Sequence, residues 1–202
     1  MTITGKGDRM KSWTAAVAVI LVLGMFPSAG CTKKSSGQAA GNAASLGSGS
    51  GSAAGIKWSV PKRWNAQGER PMRIATYSVP PAEGDTDQGE CAVFYFGNDQ
   101  GGGVDANIER WISQFEATGI PGRAQKEVDG GMKVTLVQVT GTYLSPGGPM
   151  MQSTGKKENY RLMGAIVEGP QGSVFFKFTG PAKTVGAAET EFNALVESIT
   201  KI

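Results

Sequence analysis

The chain has 202 residues, of which 40% are hydrophobic and 18% charged, a balance suited to one globular domain with an extension. Lys+Arg 20 against Asp+Glu 17 leaves a formal charge of +3, too weak a field to argue for nucleic acid as a partner. Histidine is absent, so the usual general base, the common zinc ligand and any Ser-His-Asp or Cys-His arrangement are excluded within the chain.

Residues 1–30 read as a targeting segment. Lys6, Arg9 and Lys11 precede an apolar run at 13–26 (WTAAVAVILVLGMF). That run has the length of a secretory h-region and falls short of the about 20 apolar residues that span a bilayer. The run Pro27-Ser28-Ala29-Gly30-Cys31 then resembles a bacterial lipobox, with Ser28 where the pattern usually carries an apolar residue. The resemblance implies cleavage before Cys31, lipidation of its thiol and acylation of its new amino group. Several acyl chains, at about 0.8 kcal/mol per buried methylene, make a firm anchor. The expected address is the bacterial cell envelope, at the outer membrane or on a periplasmic face if the host is diderm. Losing residues 1–30 removes three basic side chains and one acidic one, so the remainder sits near neutrality. Cys91 is the only other cysteine, so a lipidated Cys31 rules out an intramolecular disulfide.

Residues 31–55 are almost wholly Gly, Ser and Ala after the cysteine and read as a flexible linker that buries too little to order itself. The folded domain is expected at 56–202. Ile56, Trp58 and Val60 alternate as a first strand, closed by Pro61. A loop at 62–71 carries Trp64 and Arg70, a second strand covers 72–79, and an acidic loop follows at 80–90. The continuous apolar run 91–96 predicts a third strand covered on both faces.

Residues 101–119 predict one amphipathic helix. Val104, Ile108, Trp111, Ile112 and Phe115 share a face, Asp105 is the expected N-cap, and Gly119 with Pro121 is the expected stop. Residues 123–128 and 132–143 predict a hairpin around Asp129-Gly130. A long loop at 145–159 carries Met150 and Met151. Residues 160–168 and 173–179 predict a second hairpin, and Val185, Ala188, Phe192, Leu195, Val196 and Ile199 recur at helical spacing as a last helix. The expected class is α+β: an antiparallel sheet of about six to seven strands packed by two helices.

Four short motifs resemble the PsbP-like fold. They are Trp58-x-Val60-Pro61-x-x-Trp64, the apolar strand feeding a glycine turn and helix, the strand end Gly141-Thr142-Tyr143, and Phe176-Lys-Phe-Thr-Gly-Pro181 before a final helix. That family includes a photosystem II extrinsic protein and DcrB-type bacterial envelope lipoproteins. The resemblance implies an antiparallel sheet between helices in an α/β/α sandwich. It implies an accessory role beside a larger complex on a membrane surface, and brings no catalytic motif.

The residue-level candidates are few. Cys91, at the head of an apolar strand, reads as a small buried hydrophobe. Asp85, Asp87 and Glu90 lack the spacing of a calcium loop and read as a solvated acidic loop. Asp105, Asn107, Glu109 and Arg110 lie off the helix's apolar stripe, as a solvated face or, alternatively, a recognition surface. Trp64 is expected to plug one end of the core or, alternatively, to anchor a partner. Met150 and Met151 form a polarizable contact surface if exposed, and Lys156-Lys157 beside them suit anionic head groups. No residue set calls for a metal or cofactor. The expected function is that of a non-catalytic lipoprotein, an interaction or assembly module with a protein partner. The alternatives are a small-molecule or lipid-binding lipoprotein with an apolar pocket, and a hydrolase of Ser–Lys type, for which no signature is present.

Overall fold

The computed structural model describes residues 49–145 and 155–202, all within the unit Ala39–Ile202. The expected signal peptide, Cys31, the linker up to residue 48, Met150 and Met151 lie outside the described residues.

The first described element corrects the sequence reading. Ser50–Ala53 (β1), assigned by composition to the linker, is a strand paired antiparallel with Ile56–Ser59 (β2). Gly51 lies opposite Trp58, and a Cβ added there would sit 2.4 Å from the indole. The missing side chain is therefore what lets β1 lie over Trp58. Ala54 and Gly55 make the connecting turn with φ of 52° and 76°, the conformation a two-residue hairpin demands. Ala53 and Ala54 are buried. Thr200–Lys201 (β11) adds to the other side of β2, completing a three-stranded sheet.

The large sheet is built from Asn65–Ala66 (β3), Ala75–Val79 (β4), Gly89–Tyr95 (β5), Phe115–Ala117 (β6), Gly122–Val128 (β7), Met132–Ser145 (β8), Gly155–Gly169 (β9) and Gly172–Pro181 (β10). Its order is β3-β4-β5-β10-β9-β8-β6, with β7 also on β8, and every pairing is antiparallel. The expected antiparallel α+β architecture stands, with eight strands in this sheet rather than six or seven. Both predicted hairpins form: Val128 opposite Met132, and Gly169 opposite Gly172.

Strand alternation sorts two cores. Val174, Phe176 and Phe178 of β10, with Cys91, Val93 and Tyr77, face Val185, Phe192, Leu195 and Ile199 and the smaller sheet's Ile56 and Trp58. Phe175, Leu162, Ile166, Val137 and Val139 point the other way, to Ile108 and Trp111 of the helix Val104–Ile112 (α1). β5 is covered on both sides, as its apolar run predicts.

Three expectations about the helices fail. The α1 helix stops at Ile112, not Gly119, and Phe115 opens β6 opposite Tyr143. Phe115 still reaches the same core as Ile108 and Trp111, so its apolar character fits the helical period and the strand equally. The N-cap is Gly103 without a side-chain cap bond, and Asp105 instead pairs with Arg123 at 2.6 Å. The last helix is two pieces, Ala182–Ala187 (α2) and Glu189–Glu197 (α3), broken at Ala188 with φ −97° and ψ 5°.

The strand at 72–79 begins only at Ala75, because Met72 is exposed at φ 64° and Arg70 bridges to Arg73. Residues 155–159, expected in a loop, extend the arm of β9 opposite β8.

Candidate functional site: a cation cluster on the α1 face

On β10, Val174, Phe176 and Phe178 fill one core, so Phe175, Lys177 and Thr179 face the side of α1. Trp111 and Ile108 pack with Phe175. The helix ends there, and Lys177, one pleat further on, meets Gln114 just beyond it. The Lys177 Nζ donates to Gln114 Oε1 and stands 5.6 Å from the Tyr143 ring centroid, on its face. Burial pushes the Lys177 ammonium down to about 8. Arg73 nearby adds to that shift, and Glu90 opposes it.

β5 runs beside β10 with Ala92 opposite Lys177 and Glu90 opposite Thr179. Glu90 is held twice: Arg73 Nη1 donates to Oε1 at 2.8 Å and Arg70 Nη1 to Oε2 at 2.9 Å. The bend at Arg70–Arg73 aims both guanidiniums at one carboxylate, and Arg73 also lies 5.7 Å over the Phe94 ring. Three cations thus share one acid.

The cluster continues across β8 and β9. Tyr143 stacks on Tyr160 with centroids 6.0 Å apart and planes 5° from parallel. The Tyr160 hydroxyl donates to Asp87 Oδ2 at 2.7 Å, and Lys157 Nζ donates to that oxygen and to the phenol oxygen at 3.1 Å each. These bonds hold the Asp87 carboxyl below its ordinary range and the Lys157 ammonium above its own. Burial raises both phenols. Two hydroxyls on this face, Thr76 Oγ1 and Thr179 Oγ1, are buried without a hydrogen-bond partner. The site offers hydrogen-bond donors, fixed positive charge and aromatic faces. Among the described residues no cluster of acids or Cys could hold a metal ion.

The residues singled out from sequence fall elsewhere. Trp64 is buried against Phe178 and Tyr77, and its Nε1 donates to Glu191 Oε2 at 2.8 Å. It is the core plug, not an exposed anchor. Asn107 is buried, not solvated, and its Nδ2 donates to the carbonyls of Gly101, Gly102 and Gly103. Arg110 donates to Asn107 Oδ1, so these two hold the glycine turn. Asp105 and Glu109 are exposed on α1. Cys91 is fully buried and its thiol is pushed up by burial, as an inert core residue should be. Asp85 accepts from the Thr184 amide and hydroxyl, so it ties the acidic loop to α2. Lys156 pairs with Glu116.

Sequence reading passed over Lys177, Arg73, Glu90, Gln114, Tyr143 and Tyr160 as a group. One signal was present: a lysine inside Phe175-Phe176-Lys177-Phe178, at the parity of the α1 core rather than of solvent.

On the opposite face a groove of about 280 Å³ runs between β7–β8 and α3, lined by Leu136, Gln138, Met163, Glu189 and Phe192. A second, of about 470 Å³, adjoins it at Gly122 and Gln138 and includes Ile120, which is 98% exposed.

No family model matches the chain, and no curated protein matches it. Among solved structures it is similar to cyanobacterial PsbP (CyanoP) from Synechocystis sp. PCC 6803, with a TM-score of 0.44 at 10% identity, covering 73% of this chain and 87% of that one. The likeness concerns the course of the backbone and transfers no residue role.

Proposed function

We propose that the chain is a non-catalytic lipoprotein of the bacterial cell envelope, anchored through Cys31, that binds a protein partner with the α1 face of its large sheet. The observation that carries the reading is the convergence of Lys177, Arg73, Arg70 and Tyr143 beyond the end of α1. Fixed charges and ring faces on a rigid sheet recognise a partner at little ordering cost, which suits a binding surface. The lipobox-like run and the Gly/Ser/Ala stretch after Cys31 support a tethered module working near a membrane.

The test uses the full chain in its native membrane. A photo-crosslinking residue at Arg70 should give one discrete adduct, and one at Asn193, beside the opposite groove, should give none. Equal adducts at both, or none at Arg70, would remove this face as the partner site. Intact mass of the membrane-extracted protein reads the anchor: a Cys31 N-terminus with added acyl mass is expected, and an unmodified chain is the contrary result.

A second reading, a small-molecule or lipid carrier, is favoured by the groove lined by Leu136, Met163 and Phe192. Its volume is at the lower edge of the roughly 300–1,000 Å³ typical of ligand pockets. Native mass spectrometry showing a stoichiometric bound molecule would promote it.

A further inference from the structure

The charges on the α1 face do not balance. Both oxygens of Glu90 are taken by arginines. The hydrogen-bond acceptor of Lys177 is a neutral amide, Gln114 Oε1, and its other neighbour is a ring face. An ammonium has three donors, so one amide and one ring face leave it able to take a further acceptor. Glu90 is a diagonal neighbour across the β5–β10 ladder, at the roughly 7–8 Å of such pairs, and is already engaged. Thr179 lies two residues along on the same face with an unpartnered hydroxyl. Thr76, 98% buried, occupies the same row as Ala92 and Lys177, and its hydroxyl too has no partner.

We propose that Lys177 is the seat of a carboxylate belonging to an acidic segment of the partner, with Arg73 as the neighbouring donor. The inference rests on the reading of this face as the partner surface. A monoanion matches an ammonium whose hydrogen-bond acceptor is a neutral amide, and the Arg70–Glu90–Arg73 arrangement shows that planar carboxylates fit the local donor geometry. A bound anion favours the charged lysine. An ammonium whose proton affinity burial has lowered to about 8 therefore takes up part of a proton as the carboxylate arrives near or above pH of about 8.

The experiment uses the full chain in mild detergent, labelled with ¹⁵N and titrated separately with acetate, a tetraglutamate peptide and inorganic phosphate at constant ionic strength. Saturable amide shifts confined to residues 73–76, 90–94 and 176–179 are expected, with the peptide binding more tightly than acetate. Lys177→Met and Arg73→Gln should each weaken binding tenfold or more, and Lys57→Met, on the other sheet, should change nothing. Calorimetry above neutral pH in two buffers of different ionisation heat should show proton uptake in the wild type and none in Lys177→Met. No saturable response to acetate or peptide, an equal response in Lys177→Met, or a preference for phosphate would overturn the proposal. An Arg70 adduct without carboxylate binding would sink only this inference. Carboxylate binding without an adduct would sink the partner surface.

Discussion

Trp111 lies directly on Gly164: a Cβ built at 164 would stand 2.4 Å from the indole and 2.8 Å from Val137. This is how α1 reaches the sheet, because β9 presents Leu162 and Ile166 on either side of a position with no side chain. The same seat fixes where the helix ends and so where Gln114 meets Lys177. Gly164→Ala should therefore act as an overpacking change, costing about 1–3 kcal/mol. Urea unfolding reads the loss, and weaker binding at Lys177 should accompany it. Unchanged stability would mean that Trp111 has a second place to go.

Asn107 is the internal brace of the turn into α1. Its amide donates to Gly101, Gly102 and Gly103 at 2.8, 3.3 and 2.9 Å, while Gly101 and Gly102 hold φ of 91° and 81°. Asn107→Ala removes the donor and leaves the turn unbraced, at about 1 kcal/mol. Asn107→Asp should be worse, because carboxylate oxygens would face carbonyl oxygens, with only Arg110 in opposition. Hydrogen exchange across residues 101–105 separates the two effects from a mere global loss. Exchange there as slow as in wild type would remove the brace.

What the sequence showed followed from period and punctuation. The hairpins at Asp129-Gly130 and Gly169–Gly172 and the buried run of β5 were legible because turn chemistry and alternation agree there. Phe115 was not, since an apolar residue at helical spacing also serves a strand that enters the same core. Asn107 was misread because an amide on the polar flank of a helix looks solvated until a glycine turn folds back over it. β1 was missed because composition treats glycine as slack, whereas Gly51 is the space beneath an indole. The Lys177 cluster draws on β4, β5, β8, β9 and β10, so no window of sequence contains it, although Lys177's parity pointed inward.

The acid–base behaviour of Lys177 gives a stability test with a definite sign. Its ordinary value is 10.5 and its folded value about 8. Below about 8 both states hold the proton, and the folded state bears the full cost of a buried ammonium. Between about 8 and 10.5 the unfolded chain holds more protons, so stability rises with pH; above that window the gain is complete. Tyr77, pushed up to about 12 by burial, and the buried Cys91 thiol act in the opposite direction at alkaline pH. Comparing wild type with Lys177→Met at each pH cancels them. The difference should move toward the wild type by roughly 1–3 kcal/mol between neutral pH and pH of about 10. A flat difference in denaturation midpoints would show that Lys177 keeps its ordinary proton affinity.

Gly51 decides whether the segment leading in from the linker is part of the fold. β1 is an edge strand of four residues, paired among the described residues only with β2. Its additional ties are the Val60 amide donating to the Gly49 carbonyl at 2.9 Å and the Gln171 amide donating to the Ala54 carbonyl at 3.3 Å. Gly51→Val would push a branched side chain into the Trp58 ring. Trp58 cannot yield, because its Nε1 donates to the Tyr77 hydroxyl at 3.1 Å and it meets Phe176 edge-on at 5.1 Å. The strand should therefore leave while the large sheet stays. Amide protection should vanish at Gly51, Ala53 and Val60, and persist at 91–93 and 174–178. Global stability should fall by about 1–3 kcal/mol, the usual scale of an overpacked site. Retained protection at Val60 would mean that β1 tolerates a side chain over Trp58.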